Sequence, residues 1–317
     1  MLTAEQIQHF HEHGFVVAQG ALMEGDLAPV RDGFSAWIDE EAQHLHTLGR
    51  LPQTFADEPF ERRLARICEH DFSIYEHVDL MDCRLEAVFD FLQNDRLLDL
   101  IEPIVGPEIL CSPIQHSRAK LPEDLKQRFP AGTAEEHERW SRHVAENVAP
   151  WHQDAQVHLE DADPVPILTV WVPLVDATPE NGCIQLIRDV PATGLVYWGS
   201  GFGIDEDGLP EGEVITLPMA AGDVLLMHKL TPHQSTPNRT QDIRWSLDLR
   251  YQPVGTPTGR GFYPDFTVRS RHDPSAVSED YATWCGRWEK ALAETPAQTR
   301  PRRSPRPTTT TPMQVDA

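Results

Sequence analysis

The chain has 317 residues, of which 40% are hydrophobic, and its 27 Lys and Arg against 50 Asp and Glu give a formal net charge of −23. This length suits one large domain or two small ones, and a chain of this size buries a core without disulfide or metal staples. The acidic balance argues against nucleic acid or an anionic membrane as a partner, because both interfaces need clustered Lys and Arg.

The cysteines and the apolar runs point to a soluble, cytoplasmic protein. The five cysteines have no CxxC spacing, which predicts reduced thiols and not a zinc site or a disulfide framework. The first residues lack the pattern of a signal peptide. The longest nearly apolar run, 165–175, is too short for a membrane span.

The first part of the chain is predicted to be helical. Thr3 and Gln6 have the spacing of a capping box at the start of a helix, and 14–20 predicts a short strand after it. Apolar residues then recur at helical spacing over 24–47 and 58–104.

From residue 108 the pattern changes to short β-rich runs separated by Pro, Gly, Asn and Asp. These runs are 109–111, 167–173, 183–187, 214–217, 224–227 and 243–251. Many short strands after a helical block predict a β-sandwich or barrel supported by helices, whereas a Rossmann sheet would need strands and helices to alternate.

We expect one domain over 1–294, followed by a tail. It comprises a helical part at about 1–107, a β core at about 108–255 and a C-terminal helical part at about 275–294. Residues 295–317 are rich in Pro, Thr and Arg and predict disorder.

Each of two segments allows two interpretations. The charged insert 121–147 is either a surface excursion or a lid. The segment 194–203 combines glycines with aromatic rings, so it is either a packed turn or a flexible lid.

Two His-x-Asp patterns are candidates for metal ligation. Residues i and i+2 share a face only in an extended chain, so His77 and Asp79, which lie within helical periodicity, are not expected to share a metal. Pro150 favours extended chain just before His152 and Asp154. Both of these side chains can therefore point into one cavity.

An oxygen-activating iron site needs a second histidine and three open positions. His228 and His233 are both available for this role. The alternating run 243–251 would usually have a solvated polar face, but beside a metal it can line a cavity. Arg244 would then offer a planar fork to a carboxylate.

In order and spacing these residues resemble the phytanoyl-CoA dioxygenase-like branch of the Fe(II)/2-oxoglutarate oxygenases, over about 3–255. The motifs that carry the resemblance are Trp151-His152-Gln153-Asp154, Trp171, Pro179-Glu180-Asn181-Gly182, Ala221-Gly222-Asp223-Val224, His228 with His233, and Arg244. The resemblance implies an all-β core with flanking helices, folded as a double-stranded β-helix (a cupin-like jelly-roll barrel). It also implies Fe(II), 2-oxoglutarate and O2, and it allows ascorbate.

The resemblance also assigns the metal ligands. The family places the third ligand at the second histidine of such a pair, which selects His233 beside His152 and Asp154 and leaves His228 as a packing neighbour. An aspartate at position 154 argues against the halogenating relatives, in which a small residue leaves room for chloride.

For the co-substrate, the resemblance assigns Arg244 and Ser235 to the distal carboxylate of 2-oxoglutarate and Trp171 to the aromatic position beside it. Lys120 matches a polar co-substrate contact, with a surface lysine as the alternative. The chain departs from the family at 187–191, where Gly-Ser-His is usual, and this departure bears on the substrate and not on the metal.

The implied activity is oxidation, foremost hydroxylation, of an aliphatic C–H bond of a small molecule, with release of succinate and CO2. The few cations favour a secondary metabolite or an amino-acid-like or lipid-like molecule over acyl-CoA. One alternative is a cupin-like metal-binding protein without oxygenase turnover, a sensor or a non-redox isomerase, but it gives Arg244 and Ser235 no role. Another is an acidic β-sandwich with surface histidines, which would make the ordered motifs a coincidence.

Overall fold

The structure is a computed structural model that describes residues 1–125, 149–189, 194–196 and 203–295. Three segments singled out in the sequence lie wholly or mostly outside these residues. They are most of the charged insert (126–147), most of the aromatic and glycine-rich segment (197–202), and the tail from residue 296 onward.

Six α-helices lie within the described residues. They are α1 (Ala4–His13), α2 (Glu24–Thr47), α3 (Phe60–Cys68), α4 (Glu86–Leu92), α5 (Asp95–Val105) and α6 (Tyr281–Glu294). The predicted capping box is present, since the Gln6 N–H donates to the Thr3 hydroxyl and the Thr3 N–H donates to the Gln6 side chain. Asn94 caps α5 by accepting from the Leu97 N–H, which separates α5 from α4. None of these helices has the length and hydropathy needed to cross a membrane.

Ten β-strands are present in the same residues. They are β1 (Phe15–Ala18), β2 (Glu108–Cys111), β3 (His116–Lys120), β4 (Leu168–Pro173), β5 (Ile184–Ile187), β6 (Val214–Leu217), β7 (Val224–His228), β8 (His233–Ser235), β9 (Arg244–Pro253) and β10 (Phe266–Ser270). All the β-rich runs predicted from the sequence contain a strand. The sequence did not indicate β3, β8 and β10, because two of them are largely polar and β8 is three residues long.

The strands form two antiparallel sheets. The larger has seven strands in the order β1-β7-β4-β9-β2-β10, and β3 pairs with the first half of β9. The smaller has the order β6-β5-β8. Apolar side chains of both sheets pack together, including Trp171 and Leu225 from the larger sheet and Ile184 and Leu186 from the smaller.

The helices cover the outer face of the larger sheet and share one hydrophobic cluster with it. The alternation of β9 explains this packing. Trp245 faces the helices, where the rings of Phe34 and Phe60 lie 5.2 and 5.0 Å from its ring centre. The next residues of the same parity, Leu247, Leu249 and Tyr251, belong to the same cluster. The polar residues of β9 are thereby turned to the opposite face, towards the gap between the sheets.

Candidate metal centre

Three buried side chains, His152, Asp154 and His233, meet in a cavity bordered by both sheets. Each offers one ligand atom, and these atoms lie within 4.8 Å of one another. His152 Nε2 is 3.8 Å from Asp154 Oδ1. Across the described residues, no other trio of His, Cys, Asp or Glu is as closely grouped.

Backbone pairing brings the two histidines together. The His152 N–H donates to the His233 carbonyl at 3.0 Å, and the His233 N–H donates to the His152 carbonyl at 2.9 Å. The predicted extended chain is therefore present at His152. It does not continue through Asp154, because a 3-10 helix, Asp154–Val157, begins there, with the Gln153 N–H donating to the Gln156 side chain at 3.4 Å.

Gln153, between the two ligands, anchors this segment. Its side chain donates to the Leu230 carbonyl at 2.6 Å and to the Gly194 carbonyl at 3.0 Å, and it accepts from the Val196 N–H at 2.6 Å. It is fully buried. The side chain that separates the two ligands in the sequence thus holds their loop against neighbouring segments.

Hydrogen bonds orient both imidazoles. Nδ1 of His152 lies 2.8 Å from the Pro150 carbonyl, and Nδ1 of His233 lies 2.9 Å from the Thr231 carbonyl. A carbonyl can only accept, so each Nδ1 carries a proton, which makes Nε2 the atom that can bind a metal. Burial, and secondarily His233, lowers the pKa of His152 to about 4, so this ring is neutral at neutral pH. Neutral rings oriented in this way are suited to bind a metal.

The carboxylate of Asp154 is held ionised. Arg250 Nη2 donates to its Oδ1 at 2.7 Å, and the Thr169 hydroxyl donates to its Oδ2. Burial alone would raise the pKa of this carboxyl, but the Arg250 guanidinium holds the pKa well below its usual range. The site therefore combines two imidazole nitrogens with one anionic oxygen.

The cavity has a volume of about 90 Å³, and Arg244, Ser235 and Trp171 line it together with the three candidate ligands. Arg244 is buried, with its guanidinium carbon 5.3 Å from the Trp171 ring centre. Its Nε donates to the Gly182 carbonyl at 3.1 Å and its Nη1 donates to Ser246. Burial lowers the pKa of Arg244 to about 10, which leaves it charged at neutral pH.

Lys120 is 2% exposed, so the alternative of a surface lysine is wrong. It pairs with Arg244 across β3 and β9, and its Nζ donates to the Ser235 hydroxyl at 2.5 Å. Burial, and secondarily the charge of Arg244, lowers the pKa of Lys120 to about 7.

The other candidate histidines lie apart from this group. His228 is half-buried, and its Nδ1 accepts from the Leu230 N–H at 3.1 Å. His77 is exposed, whereas Asp79 bonds to His116 Nδ1 at 2.9 Å. Within the described residues, neither His77 nor Asp79 belongs to the group of candidate metal ligands.

The profile of the family described as phytanoyl-CoA dioxygenase (PhyH) matches residues 10–246. The chain belongs to the phytanoyl-CoA dioxygenase family. It is accordingly an enzyme of the Fe(II)/2-oxoglutarate-dependent dioxygenases, and its two sheets form the double-stranded β-helix that the resemblance implied.

Relatives of this phytanoyl-CoA dioxygenase family member include the methylphosphonate hydroxylase of Gimesia maris, which is 23% identical over 80% of this chain and 82% of that protein. The fold is similar to that of a non-heme monooxygenase, ThoJ in its apo form, with a TM-score of 0.53 and 18% identity over 91% of this chain and 98% of that one. It is also similar to the epimerase SnoN in complex with Fe3+, alpha ketoglutarate and nogalamycin RO, with a TM-score of 0.50 and 18% identity over 81% and 87% of the two chains.

Three residues at the candidate site had no predicted role, namely Gln153, Thr169 and Arg250. Arg250 carried a signal, because it shares the polar face of β9 with Arg244. Thr169 lies in an otherwise apolar strand, and a hydroxyl in such a run is a signal that could have been used. Among 187–191, where the chain departs from the family, the described residues 187–189 do not line the cavity.

Proposed function

We propose that this enzyme hydroxylates an aliphatic C–H bond of a small molecule, with Fe(II) held by His152, Asp154 and His233. The proposal rests on one observation. Two oriented Nε2 atoms and a carboxylate oxygen meet in a cavity that a buried guanidinium, Arg244, also lines. The two nitrogens and the oxygen suit a metal ion, and the guanidinium suits an anion that binds beside the metal.

The donor set fits iron. Two imidazoles and one carboxylate are the facial set of non-heme Fe(II) oxygenases, which leaves other positions open. When bound, Fe(II), 2-oxoglutarate and O2 supply the oxidising chemistry, in which the keto acid becomes succinate and CO2 and the substrate gains one oxygen atom. The contribution of the protein is to hold the reactants in position.

Arg244, Ser235 and Lys120 would receive the distal carboxylate of 2-oxoglutarate. Two nitrogens of Arg244 bond within the chain, and no described residue bonds to its Nη2, which is left for a ligand. Trp171 lies beside the guanidinium, at a distance at which its ring attracts the cation. In this buried setting a charge-assisted bond is stronger than in water.

A small substrate fits the described lining better than an acyl-CoA. Arg118 and Arg250 line the cavity, but they bond to Asp248 at 3.3 Å and to Asp154 at 2.7 Å. The phosphates of CoA would need cations that are not already paired in this way. The name of the Gimesia maris relative, methylphosphonate hydroxylase, also indicates a small molecule. We therefore propose a secondary metabolite or an amino-acid-like or lipid-like molecule.

The test is anaerobic addition of Fe(II) and then 2-oxoglutarate to the apoprotein. We expect a visible charge-transfer band to appear with the second addition. If iron binds and no band appears, the cupin-like protein without turnover is the better description. Mass spectrometry of the product then separates hydroxylation, which adds one oxygen atom, from the epimerisation named for SnoN, which adds none.

A further inference from the structure

Both carboxylate oxygens of Asp154 have a hydrogen-bond donor of their own. Arg250 Nη2 donates to Oδ1 at 2.7 Å, and the Thr169 hydroxyl donates to Oδ2. Oδ1 is the oxygen that lies 3.8 Å from His152 Nε2. The side chains of Arg250 and Asp154 are only 5% and 3% exposed. The two oxygens are therefore distinguished by their donors, and one of them faces the neighbouring ligand.

The two donors come from neighbouring strands. Thr169 on β4 is the direct cross-strand partner of Arg250 on β9, so their side chains leave the sheet side by side. Gln115 fixes Arg250 further, because it accepts from the Arg250 N–H at 3.1 Å and donates to its carbonyl at 2.9 Å. Arg250 Nη1 also donates to the Ile114 carbonyl at 3.3 Å. The pair is thus built into the rigid sheet.

The number of carboxylate oxygens that bind the ion matters for an oxygenase. A carboxylate can bind a metal through one oxygen or through two. On a six-coordinate ion with two imidazole ligands, one-oxygen binding leaves three positions, which is what a chelating keto acid and O2 require. Two-oxygen binding leaves only two positions, which are too few for both a chelating keto acid and O2.

We propose that Thr169 and Arg250 are positioning residues that make Asp154 a one-oxygen ligand. Arg250 holds Oδ1 beside His152, and Thr169 retains Oδ2 against the sheet. This inference rests on the proposed metal site. It concerns how many positions the protein leaves open there.

The first test replaces Thr169 by valine, which keeps the shape and removes the hydroxyl, and by serine, which restores a hydroxyl. For Thr169→Val we expect Co(II) affinity without co-substrate to stay within a few-fold of wild type, because Oδ2 is now free to bind as well. The affinity of the Co(II)-loaded protein for 2-oxoglutarate should fall by about tenfold or more. Thr169→Ser should restore it. The Co(II) absorption spectrum reports the change in coordination without any turnover.

The second test addresses Arg250. Arg250→Met should lower Co(II) affinity by about 10–100-fold, because Oδ1 loses its orientation. Arg250→Lys, which retains a cationic donor, should recover part of the loss. Ser117→Ala is the matched control, since this buried hydroxyl on β3 donates to the Val78 carbonyl at 2.6 Å outside the cavity. Ser117→Ala should change neither the affinity for Co(II) nor the affinity for 2-oxoglutarate.

If folded Thr169→Val binds both Co(II) and 2-oxoglutarate as wild type does, the inference is overturned, even where Arg250→Met fails to fold. The wild-type charge-transfer band decides the proposed function separately. Its absence with iron bound would reject the oxygenase proposal, while the Co(II) affinities and spectra of the variants would still decide whether the pair controls the carboxylate.

Discussion

Arg244, which lines the cavity, and the neighbouring Lys120 differ in how firmly they hold their protons. Arg244 and Lys120 are direct partners across β9 and β3. Burial lowers the pKa of Arg244 to about 10 and, together with Arg244, that of Lys120 to about 7. Near neutral pH the guanidinium is a permanent charge, whereas the ammonium is gained or lost with small changes in its surroundings.

Replacing Arg244 by alanine tests the permanent charge. Loss of a charged hydrogen-bonding partner should weaken 2-oxoglutarate binding by about 2–3 kcal/mol, roughly 30- to 150-fold. Iron affinity should be nearly unchanged, because Arg244 bonds to none of the three ligands. Titration of the charge-transfer band and of the metal alone measures the two affinities. An equal loss of both would show that Arg244 is structural.

The charge on Lys120 predicts that the affinity for 2-oxoglutarate depends on pH. Lys120 carries its proton below about pH 7, and only this form attracts a carboxylate, so 2-oxoglutarate affinity should fall as the pH rises from about 6 to about 8.5. Burial raises the pKa of the neighbouring Cys183, so this thiol stays neutral over the range. Binding isotherms across the range measure the effect. In Lys120→Met the slope should disappear, and a slope that persists would assign the effect to another group.

At the level of secondary-structure elements, the turn before β5 packs closely against Lys120 and Arg244. Gly182 has φ +107, and a Cβ there would collide with Lys120 Cδ and would lie 2.7 Å from Lys120 Cε and 3.1 Å from the Thr236 carbonyl oxygen. The Gly182 carbonyl also accepts from Arg244 Nε. A glycine at this position therefore permits the close approach of the turn to the lysine.

Gly182→Ala should displace Lys120 and weaken 2-oxoglutarate binding, with a loss of stability of about 1–3 kcal/mol. Gly255→Ala is the matched control. Gly255 also has a positive φ, +82, but a Cβ there meets nothing within 4 Å. Both variants should lose stability in denaturant unfolding, and only Gly182→Ala should lose affinity for the co-substrate. Equal affinities in the two variants would contradict the steric role.

Elements with a regular pattern of polar and apolar residues could be predicted from the sequence. Features that depend on contacts with distant parts of the chain could not. The alternation of β9 placed Arg244 on the cavity face, and Asn94 marked the break between α4 and α5. The sequence did not indicate β3, because its inward residues are polar to suit the cavity. Likewise the bond from Thr169 to Asp154 depends on how β4 pairs with β9, which no local pattern encodes.

For the whole molecule, the candidate ligands connect the two sheets. His233 belongs to the smaller sheet, whereas the partners of Asp154, Thr169 and Arg250, belong to the larger. A bound ion would thus tie the two sheets together. At a concentration 100 times its dissociation constant, such a ligand adds about 2.7 kcal/mol to the free energy of unfolding.

We therefore expect Co(II) or Mn(II) to raise the melting temperature by several degrees, and a chelator to reverse the rise. His233→Ala should abolish the shift. His228→Ala should retain it, because His228 lies outside the ligand group and its ring Nδ1 accepts from the Leu230 N–H. Thermal scans with and without metal measure this, and the opposite pattern would make His228 the third ligand.

The reciprocal main-chain bonds between His152 and His233 have a consequence for how the protein handles its ion. The ring centres lie 4.2 Å apart, and the two peptide groups that carry them are joined by main-chain hydrogen bonds. We expect these hydrogen bonds to keep the two histidines in place when the metal ion is removed. The metal should then rebind fast, without a slow refolding phase.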